Sequence, residues 1–292
     1  MAYYGERVDR SEGYWGPITA NVDWCEPNYA HSYYLCEYWN TLSNIPMIVL
    51  GFWGMCYAFT IGAAAARNGF TPKNAFYSFT IGFFFLFLVG IGSWMFHMTL
   101  LYKYQMLDEL PMILGSLVFV YIIMDLHPPK EISLGAEEKK PGGLIGIFDR
   151  FMIQNRTFRA VVLILYGVTT SVLMAVDTNN PLPMNLSYLG LVLFLVWRSC
   201  TGDSYAQKIV RHYFASALVY QIAAGLCWLV EKYLCQPLFP ITAYLHAVWH
   251  VLAGTGVYQF IMWTFFLSAH NLSLSPRVKH FLFVPFVSAK EK

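Results

Sequence analysis

The chain has 292 residues, of which 57% are hydrophobic, 18% aromatic and only 12% charged, with a formal net charge of +2. Soluble domains carry about 25% charged and about 45–50% apolar residues, so this composition has too little polar surface for a water-soluble fold. It also excludes a disordered chain, a coiled coil and a nucleic-acid binder, which needs basic clusters and a high pI.

Along the chain, the first stretch is polar (Glu6, Arg7, Asp9, Arg10, Glu12) and lacks the basic, apolar, then small order of a cleaved signal peptide. A helix crossing hydrocarbon needs about 20 mostly apolar residues. Seven segments qualify, over residues 42–66, 76–98, 110–125, 160–176, 182–197, 213–230 and 241–268. None alternates as a barrel strand does, so the expected fold is all-α, a polytopic membrane protein built as a seven-transmembrane helix bundle. Residues 1–41 then form an N-terminal segment, 42–268 the bundle and 269–292 a tail. The connection over 127–156, with Pro128-Pro129 and Pro141-Gly142-Gly143, reads as solvated and carries no chemistry.

Seven spans place the termini on opposite sides. Arg7, Arg10, Lys103 and Lys232 fall on the N-terminal side, and the other fifteen of the 19 Lys and Arg fall opposite. The positive-inside rule makes the N-terminus lumenal and the C-terminus cytosolic. Cys25, Cys36 and Cys235 lie on the oxidising side, where one bridge from the N-terminal segment to the loop after span six is expected but the spacing does not pair them.

Ionisable residues inside spans are costly and point to function. His97 near the end of span two and His246 and His250 near the start of span seven share one lumenal depth, because the two spans run in opposite directions. His246 and His250 are spaced i, i+4 and project from one helical face. That suits two ligands of a tetrahedral Zn²⁺ within the membrane, with His97 as the third and an open position for water. Ser93 shares the face of His97. Asp108, expected at the start of span three, could orient that water and take its proton. A lone span histidine more simply bonds a backbone carbonyl, but three at one depth beside a carboxylate outweigh that reading. Asp23, Glu26, Asn28 and Glu37, with the carbonyl of Trp24, are hard oxygen donors of the kind Ca²⁺ takes. On spacing alone, acids capping a solvated segment are the simpler account. Tyr33, Tyr34, Tyr38 and Trp39 read as an aromatic belt. Glu231, at the end of span six, reads as interfacial and receives no role.

Taken together, six strings carry a resemblance: Gly13-Tyr-Trp-Gly-Pro, Asp23-Trp-Cys-Glu, Glu37-Tyr-Trp-Asn-Thr, Gly92-Ser-Trp-Met-Phe-His-Met-Thr-Leu, Leu107-Asp-Glu-Leu-Pro-Met and His246-Ala-Val-Trp-His. In this order the chain resembles the alkaline ceramidases, seven-span hydrolases of internal membranes. The resemblance implies Zn²⁺ on His97, His246 and His250, with Asp108 contacting the zinc-bound water and Ser93 beside the substrate carbonyl. It further implies Ca²⁺ held by Asp23, Trp24, Glu26, Asn28 and Glu37, and a Cys25–Cys235 disulfide. The implied reaction is calcium-stimulated hydrolysis of the ceramide amide to a sphingoid base and a fatty acid, in endoplasmic reticulum or Golgi membranes, with no protein partner expected. The rival is a zinc-containing lipid- or hormone-sensing receptor of the related seven-span superfamily. Ser93 and Asp108 complete a hydrolytic set that a receptor does not need. A zinc transporter would need polar residues continued through the cytosolic halves of the spans, which lack them.

Overall fold

In a computed structural model the protein is described over residues 13–67, 73–126, 151–178, 180–201, 205–271, 275–281 and 284–290. The signal-peptide reading of the first twelve residues and most of the 127–156 connection lie outside the described residues.

Across hydrocarbon the backbone has no water to bond, and only intrahelical bonds satisfy it. The chain accordingly forms α1 (Tyr38–Leu42), α2 (Ile45–Arg67), α3 (Lys73–Thr99), α4 (Tyr102–Leu126), α5 (Arg156–Val176), α6 (Leu182–Thr201), α7 (Tyr205–Leu234) and α8 (Leu245–Asn271). Among the described residues seven helical spans are long and apolar enough to cross a membrane: Tyr38–Ile61, Tyr77–Thr99, Tyr102–Leu126, Arg156–Val176, Leu182–Cys200, Arg211–Leu234 and Ile241–His270. This is a multi-pass all-α membrane protein.

Two of the boundary shifts matter for the site. α4 begins at Tyr102 rather than near residue 110, so Asp108 lies within its second turn and not at the start of the span. Lys103, Gln105, Asp108 and Glu109 depress hydropathy there while remaining compatible with a helix. α7 likewise runs through Glu231 to Leu234, which makes Glu231 a fully buried helical residue instead of an interfacial one.

The chain divides into two compact units, Met1–Gly115 with Tyr205–Lys292, and Ser116–Ser204. In the first, α2 packs along α3, α7 along α8, and α8 touches both α2 and α3. Small residues let these backbones approach closely, as helices in lipid require. At Gly51 a Cβ would stand 2.5 Å from the Phe87 amide nitrogen. The N-terminal segment finishes α3. The last carbonyls of a helix have no intrahelical partner. Here His97 and Met98 accept from the amides of Glu37 and Cys36 at 3.0 and 2.9 Å, and Leu100 accepts from Thr19 and Ala20 at 3.2 and 3.0 Å. Leu100 turns the chain at φ 48°, and with Tyr29, Cys36 and Phe96 it forms a small apolar cluster under the segment.

The structure carries α8 to Asn271 and then pairs β1 (Ser275–Phe281) with β2 (Val284–Lys290) in an antiparallel hairpin, with Val278 opposite Val287. Val278, Phe281, Val284, Phe286 and Val287 are the β-branched and aromatic residues that favour strands. The Tyr57 hydroxyl donates to the Val287 carbonyl, and the Phe286 ring meets Trp53 and Tyr57.

In the second unit, Arg159 is fully buried, donates to Asp125 and lies 4.4 Å over the Tyr121 ring. Asn155, the residue of a sequon, caps α5 by accepting from the Phe158 amide at 2.9 Å.

Candidate metal centre

The end of α3 supplies Ser93 and His97, and the start of α8 supplies His246 and His250. Each pair is one helical turn apart and therefore shares a face. His97 and His250 are fully buried and His246 is 3% exposed. Their ring centroids lie 4.5 to 5.0 Å apart. Among the described residues this trio is the group of three His, Cys, Asp or Glu side chains that could hold a metal ion, with ligand atoms within 4.8 Å of one another. Two nitrogens at about 2.0–2.1 Å from one tetrahedral zinc stand roughly 3.4 Å apart, so modest side-chain movement closes the set.

The oxygens beside the Nδ1 atoms of His97 and His250 favour the tautomer that leaves a lone pair on each Nε2. Ser43 Oγ donates to the Asn40 carbonyl at 3.0 Å, which leaves its lone pairs to accept from His250 Nδ1 at 2.8 Å. In that arrangement His250 carries its proton on Nδ1 and offers a lone pair at Nε2, where Ser93 Oγ lies 3.1 Å away. His97 Nδ1 donates to Glu37 Oε2 at 2.5 Å, and its buried Nε2 has no hydrogen-bond partner. Metal-ligating histidines usually spend their second nitrogen on such a carboxylate or oxygen, which fixes tautomer and ring orientation. The donor set fits Zn²⁺.

The acidic segment is buried rather than solvated: Asp23, Glu26 and Glu37 are 3%, 2% and 0% exposed. Glu26 accepts from the first-turn amides of α1, Trp39 at 2.7 Å and Asn40 at 2.8 Å. Glu37 Oε1 accepts from the Trp24 amide at 3.0 Å, and its Oε2 also accepts from Asn40 Nδ2 at 3.0 Å. Asn28 Nδ2 bridges both Asp23 oxygens at 3.2 Å, and Asn28 Oδ1 is buried without a hydrogen-bond partner. Burial first, and then the charge of Glu37, push the Glu26 carboxyl up to about 7. Acids crowded in this way fit a bound cation. They are linked in pairs, however, and not drawn into one ligand sphere as the histidines are.

Asp108 is 7% exposed, and its Oδ1 lacks a hydrogen-bond partner. Its depth is set by Gly92, the neighbour of Ser93. A Cβ there would stand 2.2 Å from the Leu107 carbonyl oxygen and 2.8 Å from the Asp108 amide nitrogen. α3 and α4 thus touch backbone to backbone beside Ser93. Gly92→Ala is expected to force them apart at a cost of about 1–3 kcal/mol or more, read as a lower unfolding temperature in detergent. An unchanged temperature would mean that this contact has slack.

A disulfide joins Cys25 and Cys235. Three participants escaped the sequence reading. Asn40 lies on α1 and Ser43 just past its end, where nothing in the spacing distinguishes them. Glu231 accepts from the Cys25 amide at 3.0 Å and was discoverable, because a carboxylate in a span calls for explanation wherever it falls.

Comparison with known proteins bears on this site. The family model described as Ceramidase matches residues 16–288. Alkaline ceramidase 3 of Mus musculus is 29% identical over 286 residues, covering 94% of this chain and 93% of that protein. The putative alkaline ceramidase dcd3A of Dictyostelium discoideum is 29% identical, covering 96% and 97%. Alkaline ceramidase of Arabidopsis thaliana is 27% identical, covering 97% and 98%.

Proposed function

The chain belongs to the ceramidase family and is by that membership an amidohydrolase; on this premise we propose that it hydrolyses the ceramide amide with zinc held by His97, His246 and His250. The observation that carries the zinc reading is the hydrogen-bond accounting: His97 and His250 are each held at Nδ1 by an oxygen and keep a buried Nε2 for the metal. Zn²⁺, when bound there, polarises the amide carbonyl as a Lewis acid and lowers the pKa of water beside it. Asp108, with its unpartnered buried oxygen, takes the proton of the attacking water and delivers it to the leaving amine, which departs as the sphingoid base. Ser93 Oγ–H turns from His250 to the carbonyl oxygen as negative charge develops on it. Such a donor is worth roughly 2.7–4 kcal/mol. The products are a sphingoid base and a fatty acid, and the substrate's two chains remain in the bilayer alongside the apolar helices.

Calcium at Asp23, Trp24, Glu26, Asn28 and Glu37 stimulates without entering the chemistry. It relieves the crowding of the buried carboxylates and steadies Glu37, which also holds His97. We place the protein in endoplasmic reticulum or Golgi membranes with its N-terminus lumenal, a reading supported by the Lys and Arg distribution and by the Cys25–Cys235 bond.

The test is to purify the chain and its His250→Ala variant in detergent, and to measure bound zinc and sphingoid-base release from ceramide. The wild type is expected to carry about one zinc and turn over, and the variant to lose both. A wild type that holds zinc but releases no base, with or without calcium, would favour the receptor reading instead.

A further inference from the structure

Glu231 sits on α7 one turn before Cys235, fully buried. The reaction proposed above gives it no part, and a buried carboxylate is costly to keep unless something uses it. Its two oxygens have different neighbours. Oε1 accepts from the Cys25 amide at 3.0 Å. Oε2 has no hydrogen-bond partner and faces His246 Nδ1 at 3.7 Å, an atom that also lacks a partner. That separation is longer than a hydrogen bond, and a shift of roughly 1 Å closes it.

His246 is the histidine whose Nδ1 would otherwise have no acceptor. His97 has Glu37 at 2.5 Å and His250 has Ser43 at 2.8 Å. The plane of the His246 ring is already restricted. The Trp24 indole stacks on it at 3.7 Å and 19°, and Trp249 at 5.0 Å and 14°. With the plane held, rotation within it decides where Nε2 points, and an acceptor at Nδ1 fixes that rotation. Trp24 is the neighbour of Cys25, so the carboxylate that anchors the Cys25 amide also seats the stacking indole.

Resting on the zinc reading above, we propose that Glu231 is a positioning residue for the metal. One carboxylate oxygen orients His246 through Nδ1, and the other holds the Cys25 amide and with it the Trp24 indole on the same imidazole. The N-terminal segment, α7 and α8 meet in this one side chain.

Glu231→Gln tests the idea, because an amide has a single acceptor atom. If that atom serves Cys25, the NH₂ group faces the Nδ1–H of His246, donor against donor. Removal of such an orienting partner typically weakens metal binding about 10–100-fold. The readouts are zinc retention against a competing chelator, the electronic spectrum of the cobalt(II)-substituted protein, and an intact Cys25–Cys235 bond by thiol labelling. The expected result is a folded, disulfide-bonded variant whose zinc affinity falls by about 10–100-fold and whose cobalt bands change. A folded variant with wild-type zinc affinity and an unchanged cobalt spectrum would overturn the proposal and confine Glu231 to tethering Cys25. If the Gln variant does not fold, Glu231→Asp keeps the charge but draws it back by one methylene, and is judged by the same criteria. A wild type that retains no zinc overturns the metal reading itself, an outcome distinct from an unaffected variant.

Discussion

Asp108→Asn is expected to lower sphingoid-base release from ceramide by about 10²–10⁴-fold, the usual contribution of a positioned general base, while zinc content and unfolding temperature stay near wild type. Asn preserves the size of the side chain and a carbonyl acceptor but cannot take a proton. The residue is chosen on structural grounds. It is buried, its Oδ1 has no hydrogen-bond partner, and its backbone abuts Gly92 beside Ser93. The rate is measured by single-turnover hydrolysis in detergent with zinc quantified in the same sample. Activity within about threefold of wild type would assign the proton transfer elsewhere.

Glu37→Ala carries the second large effect, because it removes three bonds at once. Glu37 accepts from His97 Nδ1, Asn40 Nδ2 and the Trp24 amide. The alanine leaves three donors, two of them buried, without this acceptor, a loss of roughly 3–5 kcal/mol if comparable to breaking a buried charged pair. Zinc retention should fall with stability, and added calcium should no longer raise the rate. A variant that is slow yet still responds fully to calcium would separate the two metals and remove Glu37 from the link between them.

Much of this architecture is legible in the chain, and the exceptions have physical causes. Hydropathy finds each span because lipid asks for one property continuously over about 20 residues. The histidine trio is legible because i, i+4 spacing and opposite span directions set face and depth without any coordinates. Span ends are less legible. Around Asp108 and Glu231 polar residues lower the hydropathy while the helix continues, so one residue is placed a turn too early and the other loses its role. The acids between Asp23 and Glu37 look solvated in sequence because their burial depends on α3, which lies about 60 residues downstream through the Glu37–His97 bond. The hairpin of β1 and β2 is short and half apolar, and its partner surface at Trp53 and Tyr57 is remote in sequence.

The N-terminal segment that finishes α3 also sets a timetable for biosynthesis. Its residues emerge first, yet the carbonyls they bond belong to residues 97, 98 and 100, and Cys25 waits a further 210 residues for Cys235. At about 5–20 residues per second, that separation amounts to roughly ten to forty seconds during which Cys25 has no disulfide partner. His246 and His250 arrive later still, on the last helix. The histidine trio therefore assembles only after this helix is made. A ribosome stalled before α7 would leave a membrane-inserted chain with a free Cys25 and two of the three clustered histidines missing.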